Sequence, residues 1–232
     1  MMFRMEKAAM EDYWRQDERQ IKIHAPGDFA ALVGHRLVSA HRRGKFLWAE
    51  SDGPTLGLHL GMAGRIAVDE PAERWDRFAL EFADGGRLAL KDKRRLGRAL
   101  LEPDFSHVGP DAAEVSRDEF RKRISRSGAP IKARLMDQSA ISGIGNLLAD
   151  ELLWRARMSP WRPANSLSVE ELDALRRVIR ATVRDAVKNG GVHTGKFMPS
   201  RVRGGTCPRD GGALQLDTVG GRTTLWCPVC QL

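Results

Sequence analysis

Cysteine is scarce in this chain and is distributed wrongly for a disulfide framework. There are three, Cys207, Cys227 and Cys230, all in the tail. This excludes a disulfide-stapled secreted scaffold and points to a local thiol site in a reducing compartment, so a cytoplasmic location is expected. Long apolar runs are also missing. No stretch could span a bilayer and no signal-peptide core opens the chain, which argues against a membrane partner. Acidic charge is in the minority, with 30 Asp and Glu against 38 Lys and Arg, a net charge of +8 and a pI near 9.9. Such a balance suits a polyanionic partner, because lysines and arginines that displace counterions supply most non-specific affinity for nucleic acid. DNA, RNA and an acidic protein all remain open on charge alone. With 232 residues and 42% hydrophobic content, one large core or two modest ones can be built.

The chain changes character along its length. Arg36–Ala40, Phe46–Glu50, Thr55–Leu60, Phe78–Phe82 and Arg87–Leu90 are short strand-like runs, and Ala83-Asp84-Gly85-Gly86 reads as a hairpin between the last two. A mostly antiparallel sandwich is predicted. After Pro110 the pattern is helical. Ser116 with Glu119 and Ser168 with Glu171 are spaced as capping boxes. Val169, Leu172, Leu175, Ile179, Val183 and Val187 recur at helical spacing until Asn189-Gly190-Gly191 ends the run, as an amphipathic core helix would. The fold class expected is α+β with two domains. A β-sandwich over 1–108 precedes a helical domain over 109–192, and 193–232 forms a linker and a zinc-finger-like β-hairpin.

Two local patterns carry chemistry. In the tail, Cys227-Pro228-Val229-Cys230 is an intact metal knuckle, whereas Cys207-Pro208-Arg209-Asp210 places a carboxylate where a fourth cysteine would complete the set. Two such knuckles on a hairpin give tetrahedral zinc, and a carboxylate oxygen can serve as a harder, weaker fourth ligand. One zinc held by Cys207, Cys227 and Cys230, with Asp210 or water as the fourth ligand, is the expectation; a zincless hairpin held by packing is the alternative. The second pattern runs from Ile131-Lys132-Ala133-Arg134-Leu135-Met136-Asp137-Gln138 through Ile141-Ser142-Gly143-Ile144-Gly145-Asn146-Leu147-Leu148-Ala149-Asp150-Glu151. It reads as a helix, a glycine-punctuated turn and a second helix opened by Asn146. Free N–H groups and the macrodipole at such a helix start favour an anion such as a DNA phosphate. An ordinary capped helical hairpin is the bland alternative.

This second string, with Arg155-Ala156 and Pro160 downstream, resembles the helix–two-turn–helix of the formamidopyrimidine/endonuclease VIII family of DNA glycosylases. The resemblance implies a base-excision-repair glycosylase with abasic-site lyase activity, acting as a monomer on double-stranded DNA that carries a damaged base or an abasic site. It also implies roles for particular residues. Lys132 and Asn146 would hold phosphates. Arg42-Arg43-Gly44-Lys45-Phe46-Leu47 is similar to the strand whose lysine reaches the lesion phosphate and assists elimination, which makes Lys45 the catalytic candidate. His59-Leu60-Gly61-Met62-Ala63-Gly64 resembles the loop of the wedge methionine, so Met62 would enter the stack left by an everted base. In Asp92-Lys93-Arg94-Arg95-Leu96-Gly97, Arg94 would face the orphaned base and Leu96 would replace an aromatic wedge. Arg222, at the tip of the finger hairpin, would contact phosphates beside the lesion. The family also ends in a four-cysteine zinc finger.

The departures lie in three places. Lys93 and Leu96 stand where proline and phenylalanine are usual. The stretch from Gly191 to Thr206 is short where the branch that recognises 8-oxoguanine carries a lesion-capping loop. The family's nucleophile is an N-terminal proline amine followed by glutamate, but this chain opens Met1-Met2-Phe3-Arg4-Met5-Glu6-Lys7, and the resemblance is traced only from Leu32-Val33-Gly34 onward. The readings are therefore a glycosylase-lyase with an upstream start codon or another amine, a non-catalytic lesion- or abasic-site-binding protein of the same fold, and, more remotely, a zinc-ribbon DNA-binding protein without lesion preference. As written, the chain is expected to bind abasic-site DNA and to cleave it slowly.

Overall fold

A computed structural model describes residues 21–23 and 28–232, and these divide into two compact units between Ser106 and His107. The first is a sandwich of two four-stranded antiparallel sheets. Strands β1 (Ile21–Ile23), β6 (Asp76–Phe82), β7 (Arg87–Lys91) and β5 (Arg65–Val68) form one sheet in that order. Strands β2 (Leu37–Arg43), β3 (Phe46–Ser51), β4 (Leu56–His59) and β8 (Arg98–Leu101) form the other. Period-two alternation chooses the inner face: in β3, Leu47 and Ala49 are buried while Phe46 and Trp48 are only half-buried. Leu47, Leu56 and Leu58 of one sheet join Phe78, Leu80, Leu88 and Leu90 of the other in one core. Strands β5 and β8 fall outside the strand-like runs read from the sequence, because each is only four residues long and carries an arginine.

The second unit holds helices α1 (Arg117–Ile124), α2 (Ile131–Met136), α3 (Asn146–Ala156) and α4 (Val169–Asn189), then the hairpin of β9 (Gln215–Val219) and β10 (Arg222–Trp226). Ser168 and Glu171 make the full reciprocal capping box on α4, and Gly190, at φ 103°, ends the helix in the left-handed conformation that glycine adopts without strain. Leu172, Leu175 and Ile179 are buried in the helical core, each worth about 1.5–3 kcal/mol of apolar transfer, whereas Val169 is half exposed. Segment 193–232, read from the sequence as a module of its own, lies in the same compact unit as the helices. Trp154 of α3, Phe197, Cys207, Leu225 and Cys227 share a buried cluster that ties the tail to the helices. Among the described residues, no helix is long and apolar enough to cross a membrane.

Candidate functional site

In the sandwich unit, the sequence-predicted residues emerge together from one end of the β2-β3-β4-β8 sheet. Lys45 lies in the two-residue turn between β2 and β3 rather than on a strand, with Arg43 paired to Phe46 across it. Gly44 has φ 59° in the first turn position, where a tight hairpin needs glycine. Phe46 pairs with His59 and His59 with Arg98, which brings the ends of β3, β4 and β8 side by side. Burial, then the charges of Lys45 and Arg98, pushes the His59 imidazole below its usual pKa. A neutral ring is consistent with its Nδ1 accepting the Gly61 N–H at 3.1 Å.

The Met62 and Leu96 loops touch. A Cβ on Gly61 would lie 2.7 Å from the Leu96 backbone, so only glycine allows the approach that sets Met62 beside Leu96. Met62 is 73% and Leu96 41% exposed, and Arg94 is exposed in the turn that precedes Leu96. Large apolar groups held in water by tight turns are surfaces waiting for a partner. The residue that holds the second loop is Asp92, which sequence reading quoted but gave no role. Its buried carboxylate accepts the Arg94 N–H at 2.9 Å through Oδ1, and the Leu96 and Gly97 N–H groups at 2.6 and 2.7 Å through Oδ2. Burial would raise its pKa, but these three backbone donors outweigh that and hold it below the usual carboxylate range. An aspartate followed two residues later by a loop residue is a known Asx signal and could have been read.

In the helical unit, α2 and α3 flank a turn stitched by Gln138. Its side chain donates to the Met136 and Ile144 carbonyls at 2.8 and 2.9 Å and accepts the Gly143 N–H at 3.0 Å. Gly143 has φ 104°, whereas Gly145 is extended and serves as the N-cap of α3, so only the first glycine is needed for its backbone angle. Asn146 begins α3 as expected, half-buried, and its Nδ2 donates to the Thr223 carbonyl at 2.9 Å. This places the helix start against the residue that follows Arg222. Arg222 itself is exposed and pairs with Val219 across a Gly220-Gly221 turn in which both glycines have positive φ. A Cβ on Gly220 would lie 2.9 Å from that of Ala133, so the hairpin tip rests on α2.

Lys132 requires a correction. Read as a phosphate contact, it is instead fully buried and forms an ion pair with Asp150 at 2.6 Å. Its Nζ also donates to the Thr223 carbonyl at 3.1 Å and to Thr224 Oγ1 at 2.7 Å. The cause is its place on the α2 face that receives the finger hairpin, where a long cation reaches a buried carboxylate and has no path to solvent. Burial, with help from the Arg201 charge, pushes its pKa below the ordinary lysine value, and Asp150 opposes that shift. Asp150 also takes Arg201 Nε at 2.7 Å, and Arg201 Nη2 donates to the Thr223 carbonyl at 3.2 Å. Neither Asp150 nor Arg201 was singled out in sequence, and no local pattern announces a pairing across such separations.

The tail brings together the four side chains read as metal ligands. The ligand atoms of Cys207, Asp210, Cys227 and Cys230 all lie within 4.8 Å of one another. Cys207 Sγ and Cys230 Sγ are 3.7 Å apart, and Cys227 Sγ is 3.4–3.5 Å from the Asp210 oxygens. Zinc at about 2.3 Å from sulfur and 2.0–2.2 Å from oxygen would put tetrahedral S···S and S···O edges at about 3.8 and 3.6 Å. The donor set therefore fits one zinc, with Asp210 as the oxygen ligand. The Cys230 thiol is pushed up to about 12, first by burial. Burial works in the same direction on Cys207, but the Trp154 indole N–H and the Arg209 and Asp210 amides outweigh it and lower that thiol.

Exposed apolar loops on a β-sandwich, a helix start facing a finger hairpin and a tail metal cluster suit a DNA-binding protein of the DNA N-glycosylase class. Comparison with known proteins specifies the class further. The Formamidopyrimidine-DNA glycosylase N-terminal domain model matches residues 4–99, and the H2TH domain model of the same glycosylase matches 108–197. A formamidopyrimidine-DNA glycosylase of Chloroflexus aggregans is 37% identical over 89% of this chain and 85% of its own. The protein of that name from Arabidopsis thaliana is 34% identical over 93% of this chain and 63% of its own. The solved Lactococcus lactis Fpg in complex with a FAPY-dG containing DNA superposes with a TM-score of 0.80 at 27% identity, covering 98% of this chain and 97% of that one. MutM (Fpg) from Thermus thermophilus gives 0.78 at 32% identity, covering 97% of each. The chain belongs to the formamidopyrimidine-DNA glycosylase family, whose members are DNA repair N-glycosylases with abasic-site lyase activity and a zinc finger. The family match begins at residue 4, well before the Leu32-Val33-Gly34 from which the resemblance was traced. The opening Met1–Lys7, on which the expectation of slow cleavage rested, lies outside the described residues.

Proposed function

We propose that this chain excises a damaged base from double-stranded DNA and cleaves the resulting abasic site, holding the duplex kinked with the lesion everted. The observation that carries the reading is the pair of adjoining loops held by Gly61 and Asp92, which keeps Met62 and Leu96 in water beside Arg94. In this reading Met62 and Leu96 fill the vacated stack, and Arg94 faces the orphaned base. Lys45 holds the lesion-side phosphate and assists elimination. Asn146 Nδ2 has a second hydrogen beyond the one given to Thr223, and that hydrogen and the Arg222 guanidinium hold phosphates. The metal cluster would hold zinc, which when bound supplies a structural clamp on the hairpin that positions Arg222. A monomer working in the reducing cytoplasm suits three free thiols.

FAPY-dG and abasic-site duplexes, the kinds bound by the Lactococcus lactis proteins, are the first substrates to try. Borohydride trapping on the abasic duplex is expected to give a covalent adduct, with strand cleavage reduced by Lys45→Ala. Tight binding without any adduct would instead establish a non-catalytic abasic-site binder. Asn146→Ala should weaken binding to damaged and intact duplexes alike by about 1.5–3 kcal/mol, the worth of a charge-assisted contact. Met62→Ala should lower the preference for damaged DNA. Equal loss of preference in both variants would contradict this division of roles.

A further inference from the structure

The metal cluster has partners beyond its ligands. Trp154, buried on α3, donates its indole N–H to Cys207 Sγ at 3.3 Å. Arg209, which stands between Cys207 and Asp210 in sequence, donates from Nη1 to Cys230 Sγ at 3.2 Å. The same guanidinium lies 4.2 Å above the Trp154 ring, which also stacks with Phe197 at 5.6 Å. One arginine thus grips a sulfur and, through its stacking, fixes the ring that donates to another sulfur.

We propose that Trp154 and Arg209 form an outer shell that raises the metal affinity of this cluster and offsets the weaker oxygen ligand Asp210. Three thiolates and a carboxylate would leave a net −2 around a divalent ion, in a site where Cys207 and Cys227 are buried. Excess charge at low dielectric is costly unless donors or cations face it. The indole N–H supplies a dipole at one sulfur and the guanidinium supplies a full charge at another. Partners of this kind also fix ligand orientation, and their removal from metal sites weakens binding by about 10–100-fold. Because Trp154 belongs to the helix that Asn146 opens, the clasp also anchors the finger to the DNA-binding helix.

The inference rests on the reading that the cluster holds zinc, and one experiment separates the two. Zinc content and affinity of the full chain are measured by competition with a chromophoric chelator, for the wild type, Trp154→Phe and Arg209→Gln. Trp154→Phe keeps an aromatic ring against Phe197 and removes the donor with part of the ring volume, while Arg209 is half-buried at the surface, so Arg209→Gln tests the idea even if the buried variant misfolds. Each variant is expected to retain one zinc per chain at saturation and to bind it at least about tenfold more weakly. With cobalt in place of zinc, the sulfur-to-metal charge-transfer band should shift in both. Variants that bind zinc within twofold of the wild type, with the band unmoved, overturn the outer shell while leaving the zinc reading intact. A wild type that takes up no zinc overturns both.

Discussion

Asp92 in the sandwich and Asp150 in the helical unit are both buried, yet their charges are met in different ways. Asp92 is met by backbone: three N–H groups of its own loop converge on two oxygens. Asp150 is met by side chains from elsewhere in the chain, Lys132 of α2 at 2.6 Å and Arg201 at 2.7 Å. The first arrangement is local. It shapes one loop and leaves Arg94 and Leu96 pointing into water. The second is long-range. Lys132, Asn146 and Arg201 all donate to the Thr223 carbonyl, so helix starts, tail and hairpin are locked together beside Arg222. The sandwich thus keeps Met62, Arg94 and Leu96 exposed on loops, whereas the helical unit buries Lys132 against Asp150 and so fixes Asn146 beside the hairpin.

This contrast can be broken by mutation. Asp150→Ala should have the largest effect, about 3–5 kcal/mol of stability in denaturant unfolding, because Lys132 is left as an uncompensated buried charge. Asp92→Ala should cost less, about 1–3 kcal/mol for orphaned N–H groups that a loosened loop can turn toward water. Its main consequence should be a loss of preference for damaged DNA as Leu96 and Arg94 become disordered, read by comparing affinities for abasic and intact duplexes. Equal stability losses in the two variants would end the distinction between local and long-range neutralisation.

The smallest expected effect is on pH dependence. The His59 pKa is lowered in the folded state by burial and by Lys45 and Arg98. The unfolded chain therefore takes up a proton first as pH falls, so His59 contributes stability that is present above about pH 6.5 and is lost as pH drops through the lower folded value. Thermal unfolding of the wild type should weaken on that acid side, and His59→Gln should flatten this part of the profile. An unchanged profile would mean that the ring does not titrate differently on folding.

Much of the architecture was legible because it is governed by neighbours in sequence. Periodicity marked α4, Ser168 with Glu171 marked its start and Gly190 its end, since capping depends on groups within one helical turn. The strand-like run at Phe46–Glu50 was legible for the same reason. The two knuckles announced the metal cluster because ligands separated by two intervening residues can turn toward one ion. Strands β5 and β8 were not legible, as four residues with an arginine among them give too little apolar pattern and pairing decides them.

By itself the sequence determined the two-part α+β organisation, the glycine turn before Asn146 and the tail cluster of three cysteines and an aspartate, all of which follow from local backbone preference and short-range spacing. Tertiary structure alone decided that Lys132 turns inward to Asp150, that Gly61 lets the Met62 loop lie against Leu96, and that Trp154 and Arg209 face the cysteine sulfurs. Those outcomes depend on which distant surfaces meet. A lysine on a short helix looks like a phosphate ligand until a hairpin from the far end of the chain closes over it and removes its water.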